Sequence, residues 1–170
     1  KKYRYQVGEE VTIDFMVGES FTGEFWDLQR HKAEKVELHS TSGVKDLTKT
    51  VKPTRGKNLS LKAEQEGTFL IAMQSNAAYI EMEGQAFNDY LKEDGLDDIY
   101  NERKRLNQLD KPSTEYYSRF AKLLVQVGDK KDDTFKKVLG LRYEIVPDQN
   151  PYTLKTGDYL QCKVYFEGKV

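Results

Sequence analysis

Two histidines are the first residues to consider for chemistry, because imidazole binds late transition metals and transfers protons near neutral pH. His31 and His39 are eight positions apart, and neither lies in an HExxH motif or in a cysteine-rich segment typical of zinc sites. The pattern favours exposed polar residues that flank a strand, and the alternative is that one or both imidazoles bind a metal. His31 and His39 are therefore the candidate metal ligands of the chain.

Signatures of nucleophilic catalysis and of phosphate loops are absent from the sequence. It contains no GxSxG, GxxxxGK[ST] or GxGxxG motif. The single cysteine, Cys162, has no histidine nearby in sequence and is expected to be a small buried residue of a strand. A glycosidase needs two carboxylates at a set separation, which the spacing of 28 acidic residues does not define. We therefore predict that the protein is not an enzyme.

Several aromatic side chains could stack on a sugar ring, although packing in the core or at its rim is their usual role. These residues are Trp26, Tyr100, Tyr116, Tyr117, Tyr152 and Tyr159. Trp26 is expected to fill a core. Arg119 lies between Tyr117 and Phe120, and it is a candidate for a buried ion pair or for a guanidinium stacked on a ring. Trp26, Tyr117, Arg119 and Tyr152 are thus candidates for structural or ligand contacts.

The composition restricts the classes of protein to which the chain can belong. Its 170 residues suffice for one domain, or for one domain and the start of another. The 27 basic residues balance 28 acidic ones, so the chain lacks the basic surface of a nucleic-acid-binding protein. No stretch approaches eighteen apolar residues, so no membrane-spanning segment is predicted.

Alternation of apolar and polar residues predicts several strands, each with one face on a core. The strongest rows cover 11–17, 139–145 and 159–166, and a short apolar run at 67–74 is typical of a central strand, followed by a strand at 77–83. Weaker candidates are 34–40 and 58–63, and residues 115–127 fit a helix or a strand, with valines favouring a strand from about 119. Strands at this spacing predict a mostly β fold, an immunoglobulin-like β-sandwich.

The middle of the chain departs from this alternation. In residues 85–109, apolar side chains recur every three or four positions, first at Phe87, Tyr90 and Leu91. Gly95 interrupts the stripe, which then continues to Leu106. We therefore predict two short helices, joined at Gly95, as an insertion between strands of the sandwich.

Three sequence blocks, taken together, resemble a known bacterial family. The first block is Val7-Gly8-Glu9 with Val17 to Glu24, the second is Phe87 to Leu96 with Tyr117 to Gly128, and the third is Gly140 to Pro147 with Asn150 to Asp158. They resemble a domain-of-unknown-function family of exported proteins, some of which are described as periplasmic components of nickel or cobalt uptake transporters. The resemblance covers nearly all of the chain.

The resemblance implies an extracytoplasmic, non-enzymatic binding or accessory domain, placed in the periplasm or cell envelope. It also implies Ni²⁺ or Co²⁺ as the ion and a metal-uptake transporter or another envelope protein as the partner. The alternative is a carbohydrate- or protein-binding module of the cell envelope. A row of coplanar, solvent-facing aromatic rings would favour sugar, and carboxylates clustered around His31 or His39 would favour metal.

The resemblance also implies how the chain is divided and where it departs from the family. Family members often begin with a histidine, whereas this chain begins Lys1-Lys2-Tyr3 and shows no signal peptide. Many members continue into a second immunoglobulin-like domain. We therefore predict a sandwich over 1–147, with its helical insertion at about 85–109. Residues 148–170 are predicted to be a closing strand or the first strand of a following domain.

Overall fold

The computed structural model describes residues 2–18 and 22–170. Lys1 and residues 19–21 lie outside this description, and the latter belong to the first resemblance block. In chain order, the strands of the described part are β1 (Arg4–Tyr5), β2 (Glu10–Ile13), β3 (Met16–Val17), β4 (Glu24–Phe25), β5 (Ala33–Ser40), β6 (Gly43–Asp46), β7 (Leu59–Lys62), β8 (Gly67–Ser75), β9 (Ala78–Met82), β10 (Ser113–Tyr117), β11 (Phe120–Val127), β12 (Tyr143–Pro147) and β13 (Cys162–Phe166). The helices α1 (Gly84–Glu93) and α2 (Asp97–Arg105) lie between β9 and β10.

Five strands form the main sheet, in the order β1-β11-β8-β5-β6. All neighbouring strands are antiparallel except β1 and β11, which are parallel. β8 lies at the centre of the sheet, and its residues from Gly67 to Ala72 are all buried. A strand with both faces covered has a continuous apolar sequence. The structure thus confirms the central strand that the apolar run 67–74 predicts.

A second layer, formed by β2 and β7, covers one face of the main sheet. The two strands pair antiparallel, and Val11 and Leu59 are at most 1% exposed. Both belong to one buried cluster with Val36, Ile71 and Val125 of the main sheet. Burial of these apolar side chains between the layers is the main source of stability. The predicted fold class, a mostly β sandwich with a short helical insertion, is confirmed.

The segment between β11 and β13 covers the opposite face of the main sheet. Side chains alternate along β11, so Lys122 points away from the inner core and meets Glu144 of β12 at 2.7 Å. Further along, the Tyr152 hydroxyl donates to the Leu124 carbonyl oxygen at 2.6 Å. Phe135 is buried in the same segment. This cover explains why β8 is buried on both faces.

β12 buries the side that the sequence assigns to solvent, and its partner β13 buries neither side. Tyr143 and Ile145 are about half exposed, whereas Glu144 between them is 2% exposed. Cys162, expected to be buried, is exposed. Alternation fixes a period of two but not the side that faces inward, and Lys122 supplies the charge that makes the inner position of Glu144 favourable. β13 pairs antiparallel with β12, which precedes it in the chain. The predicted start of a further domain within 148–170 stays a prediction.

Residues Ala77–Ser118 form a compact unit of their own, and the chain on both sides of them forms another. The smaller unit contains the antiparallel β9–β10 pair and both helices, so the helical insertion predicted at 85–109 is confirmed. Gly95 joins the helices with a φ of +70°, a conformation that favours glycine. The sequence pattern does not predict β10. Within the described ranges, no helix has the length and apolar character needed to cross a bilayer.

Candidate functional site

A pocket of about 440 Å³ opens between the two layers of the sandwich, and we call it the inner pocket. Its walls come from the β2–β3 region, from β8 and from the first half of β11. The side chains that line it include Ile13, Phe15, Trp26, Met73, Ala121 and Leu123, with Arg119 at the start of β11. Mostly apolar walls with a few polar groups are typical of ligand sites.

The inner pocket exists because the chain leaves the β2 ladder at Asp14 and Phe15. Asp14 Oδ1 accepts a hydrogen bond from the Lys57 backbone N–H at 2.6 Å, and the Phe15 N–H donates to Asn58 Oδ1 at 2.7 Å. The Phe15 carbonyl oxygen then accepts from the Trp26 backbone N–H at 2.9 Å. These bonds replace strand pairing, so the alternating row 11–17 forms two strands, β2 and β3, instead of one.

Three candidate residues from the sequence, Trp26, His31 and Arg119, meet beside the inner pocket. The Trp26 side chain is buried, and its ring centroid lies 6.0 Å from that of His31 with the planes 17° apart. The Arg119 guanidinium lies 5.6 Å from the indole centroid, within range of a cation–π interaction. A turn between Trp26 and His31 places the two rings next to each other. The Asp27 carboxylate closes this turn by accepting the backbone N–H groups of Gln29 and Arg30.

A second pocket of about 350 Å³, the outer pocket, lies on the other face of β11. Phe120, Leu124 and Ile145 contribute to its apolar lining. Lys122 and Glu144 also line it, and their ion pair has side-chain exposures of 10% and 1%. Glu144 accepts further bonds from two backbone N–H groups, and the Lys122 ammonium donates to a backbone carbonyl oxygen. A buried pair satisfied in this way fixes the wall of the pocket.

Residues 120–124 of β11 line the two pockets between them. Phe120 and Lys122 line both pockets, Ala121 and Leu123 line only the inner pocket, and Leu124 lines only the outer pocket. β1 pairs with β11 only at Gln126 and Val127, and Ala121 is exposed. The short length of β1 therefore leaves this part of the sheet edge uncovered between two apolar pockets.

The structure does not bring His31 and His39 together. His39 is near the end of β5 and His31 precedes its start, and at about 3.3 Å per residue the strand between Ala33 and His39 spans about 20 Å. His39 is buried, contrary to the expected exposure, and its Nε2 lies 3.2 Å from Glu37 Oε2. The same carboxylate pairs with Lys35 at 3.0 Å. Among the described residues, no three His, Cys, Asp or Glu side chains are grouped to hold a metal ion.

Tyr152 lies against β11, where its hydroxyl donates to the Leu124 carbonyl oxygen. Burial raises the pKa of its phenol to about 12. The Arg4 guanidinium lies 5.0 Å from the Tyr152 ring centroid, and it donates to the backbone carbonyl oxygen of Tyr152 at 2.9 Å. Tyr152 thereby links Leu124, at the end of the uncovered edge, to Arg4 of β1.

Three other tyrosines bear on the carbohydrate alternative, and all belong to the smaller unit. Tyr117 belongs to β10, opposite Ala78 of β9. Tyr79 and Tyr116 of the same pair are solvent-facing, but their ring planes are 56° apart, so they do not form a coplanar platform for a sugar.

A family model described as Domain of unknown function (DUF4198) matches residues 1–170. The chain belongs to this family. No curated protein and no solved structure matches it. The resemblance to a bacterial domain-of-unknown-function family is thereby confirmed. The family description names no ion, so a role of the DUF4198 domain in nickel or cobalt uptake is a matter for proposal.

Sequence reasoning finds part of the site in this DUF4198 domain and misses the rest. Trp26 and Arg119 are recognised from residue type and context. Ala121, Lys122 and Glu144 are missed, because they have ordinary positions in alternating rows. No local signal separates Glu144 from Arg142, the other charged residue of the row 139–145, which is exposed.

Proposed function

We propose that this DUF4198 domain is a non-enzymatic, extracytoplasmic binding domain of the bacterial cell envelope, and that it binds a segment of a partner protein. The observation that carries the proposal is the position of two apolar pockets on opposite faces of one uncovered strand edge, at 120–124. A chain segment that lies along this edge contacts both pockets at once. A sugar or another small molecule would fit only one of them.

The charged groups around the pockets support binding rather than catalysis. Lys122 and Glu144 satisfy each other, and Asp14 accepts the Lys57 backbone N–H. Acid–base catalysis needs a group that is free to gain or lose a proton at the substrate. Groups that are already committed to holding the walls are suited to shape a binding surface.

In nickel or cobalt uptake, the domain would act by contacting the transporter or another envelope protein. The pair of His39 and Glu37 offers two donors to an ion, and Lys35 competes for the carboxylate. Two donors give weak binding compared with the three or four that metal sites use. Calorimetry with Ni²⁺ and with Co²⁺ is expected to show no binding tighter than about millimolar. Tighter binding that His39→Ala abolishes would replace this proposal with a metal-carrier function.

Site-specific photo-cross-linking in the producing bacterium tests the proposed function. A photoreactive residue at position 143, on the rim of the outer pocket, is expected to give one discrete adduct in the envelope fraction. The same residue at position 44 of β6, on the opposite edge of the sheet, is the matched control and should give none. Filling the inner pocket with Ala121→Phe should remove the adduct. No adduct from position 143, or an equal one from position 44, would overturn the proposal.

A further inference from the structure

We infer that the partner segment binds by strand addition, as an extended chain that pairs with residues 120–124 of β11. Its side chains alternate between the inner and outer pockets, and acidic residues lie at both of its ends. This inference rests on the proposed function, because it specifies how the same site recognises its partner. Three features of the structure support it.

The first feature is a row of backbone groups along the edge of β11. The Gln126 N–H points away from β8, since it donates to the Tyr3 carbonyl oxygen at 3.0 Å. The Leu124 carbonyl oxygen points the same way and accepts the Tyr152 hydroxyl. Backbone groups of alternate residues share a side of the strand, so those of Phe120 and Lys122 also face outward. No described strand pairs with this side of 120–124, which leaves the outward N–H groups of Lys122 and Leu124 and the Lys122 carbonyl oxygen to pair with an added strand, while the Leu124 carbonyl oxygen keeps its bond to Tyr152.

The second feature is that pockets lie on both faces of this edge. Successive side chains of a strand point to opposite faces of its sheet, so an added strand directs one set inward and the other outward. The inward set enters the inner pocket beside Trp26 and Phe15, which accepts large apolar or aromatic groups. The outward set enters the outer pocket beside Leu124 and Ile145. In strand addition, main-chain bonds supply affinity and such pockets supply specificity.

The third feature is the charge at the two ends of the edge. Arg119 directly precedes it, and Arg4 lies just beyond it, opposite Gln126 in the parallel β1–β11 pair. The Arg4 side chain is exposed and stays near the edge through its bond to the Tyr152 carbonyl oxygen. Two cations that bracket an apolar edge are complementary to an apolar segment flanked by carboxylates.

Amide exchange with a selected peptide tests strand addition directly. The probe comes from a displayed library of peptides of about seven residues, with alternating apolar positions and Asp or Glu at both ends. The best binder is synthesised and added to the full chain, and emission of Trp26, the single tryptophan, reports binding. We expect the amide protons of Lys122 and Leu124 to exchange at least about tenfold more slowly in the complex. The amides of Leu123 and Val125 face β8 and should change little.

N-methylation of the peptide backbone provides the matched control. Methyl groups on amides that face β11 remove hydrogen bonds and should weaken binding about tenfold each. Methyl groups on the alternate amides leave those bonds intact and should have little effect. In the protein, Ala121→Phe should abolish binding by filling the inner pocket, whereas Val44→Phe on β6 should preserve it.

The outcomes separate strand addition from the proposed function. A peptide that alters Trp26 emission without protecting Lys122 and Leu124, or that tolerates both methylation series equally, overturns strand addition and leaves partner binding in place. A library without binders overturns strand addition as well, while a cross-link from position 143 would still support partner binding. The absence of both a binder and a cross-link overturns both proposals.

Discussion

Lys122, which with Phe120 lines both pockets, contributes to the stability of the fold as well as to the site. Its ammonium reaches the nearly inaccessible Glu144 carboxylate, which also accepts the N–H groups of Leu139 and Gly140. A buried carboxylate without its cation retains the full cost of removal from water. The shape of the outer pocket therefore depends on one side chain of β11.

Lys122→Ala is expected to lower the free energy of unfolding by about 3–5 kcal/mol, because Glu144 stays buried without its cation. Urea denaturation followed by Trp26 emission measures this change. The matched control is Lys136→Ala, which removes an exposed ion pair with Asp133. Exposed pairs contribute little, so this variant should be nearly unchanged. Equal losses in the two variants would contradict the structural role of Lys122.

Tyr152 is expected to make stability depend on pH in the alkaline range. Its phenol pKa is about 12 in the folded chain against 10.0 for an ordinary tyrosine, so folding favours the neutral form. This contribution is complete below pH 10 and is lost as the pH rises through about 12. Over that range, the native chain should lose about 2 kcal/mol more than Tyr152→Phe, as measured by urea denaturation. If the free energy of unfolding of the two proteins fell equally with pH, the result would argue against the raised pKa of Tyr152.

The sequence identifies the chemistry of single residues better than it identifies their neighbours. Trp26 is expected in a core and is buried, and Arg119 stacks on its ring, one of the two arrangements its context suggests. His39 is expected at the surface and is buried beside Glu37. The end of β5 next to His39 is contacted from far along the chain, since the Lys137 ammonium donates to the Ser40 carbonyl oxygen at 3.2 Å.

Strands and helices with a strong periodic pattern could be predicted from the sequence. Strands that form only because they pair with a distant strand could not. The central strand β8 and the two helices follow from local periodicity. β1 has only two residues, and it pairs with Gln126 and Val127 of β11, which are distant from it in sequence. The edge of β11 is uncovered because β1 has two residues and β11 has eight. No local pattern encodes such a difference.

Arg103 joins α2 to the chain that follows it, in the smaller unit. Its buried guanidinium donates to Asn88 Oδ1, to the Ser113 hydroxyl and to the carbonyl oxygens of Gln108 and Lys111. Lysine keeps the charge but lacks the planar fork that makes these bonds together. The hydrophobic stripe of α2 predicts no such role for a charged residue. The end of the insertion is thus organised by one polar side chain.

Arg103→Lys is therefore expected to destabilise the smaller unit by about 2–4 kcal/mol, through loss of several buried hydrogen bonds. Amide exchange within α1 and α2 measures the effect locally. Arg105→Lys serves as the control, because Arg105 makes an exposed pair with Glu102 on the same helix. Its exchange rates should be nearly those of the native chain. Unchanged protection of α1 in Arg103→Lys would contradict the prediction.

On the scale of the whole molecule, the insertion leaves and re-enters the sandwich at one place. The Ser75 N–H donates to the Arg119 carbonyl oxygen at 2.9 Å, and the Arg119 N–H donates to the Ser75 hydroxyl at 2.8 Å. The ends of β8 and β11 are therefore already adjacent. Asn76 follows β8 directly and accepts the Lys32 N–H through its side chain.

Replacement of residues 77–118 by a single glycine is expected to leave a folded sandwich. Asn76 and the new glycine then form a two-residue hairpin turn, for which Asn-Gly is the preferred sequence. Cooperative urea unfolding with native Trp26 emission would show that the sandwich persists. Alanine in place of the glycine is the control and should lower stability, because the turn needs positive φ at both positions. An unfolded chain in both cases would contradict independent folding of the sandwich.

The adjacent ends of the insertion also bear on the order in which the chain folds. The β8–β11 pairing closes a long loop, and the entropic cost of closure grows with the logarithm of loop length. β9 and β10 pair at Ala78 and Tyr117, so an insertion that folds first already brings the strand ends together. Its contacts are local and should form early. The intact chain and the glycine-linked chain are then expected to refold at similar rates in stopped-flow experiments, and a much slower intact chain would show that the sandwich forms first.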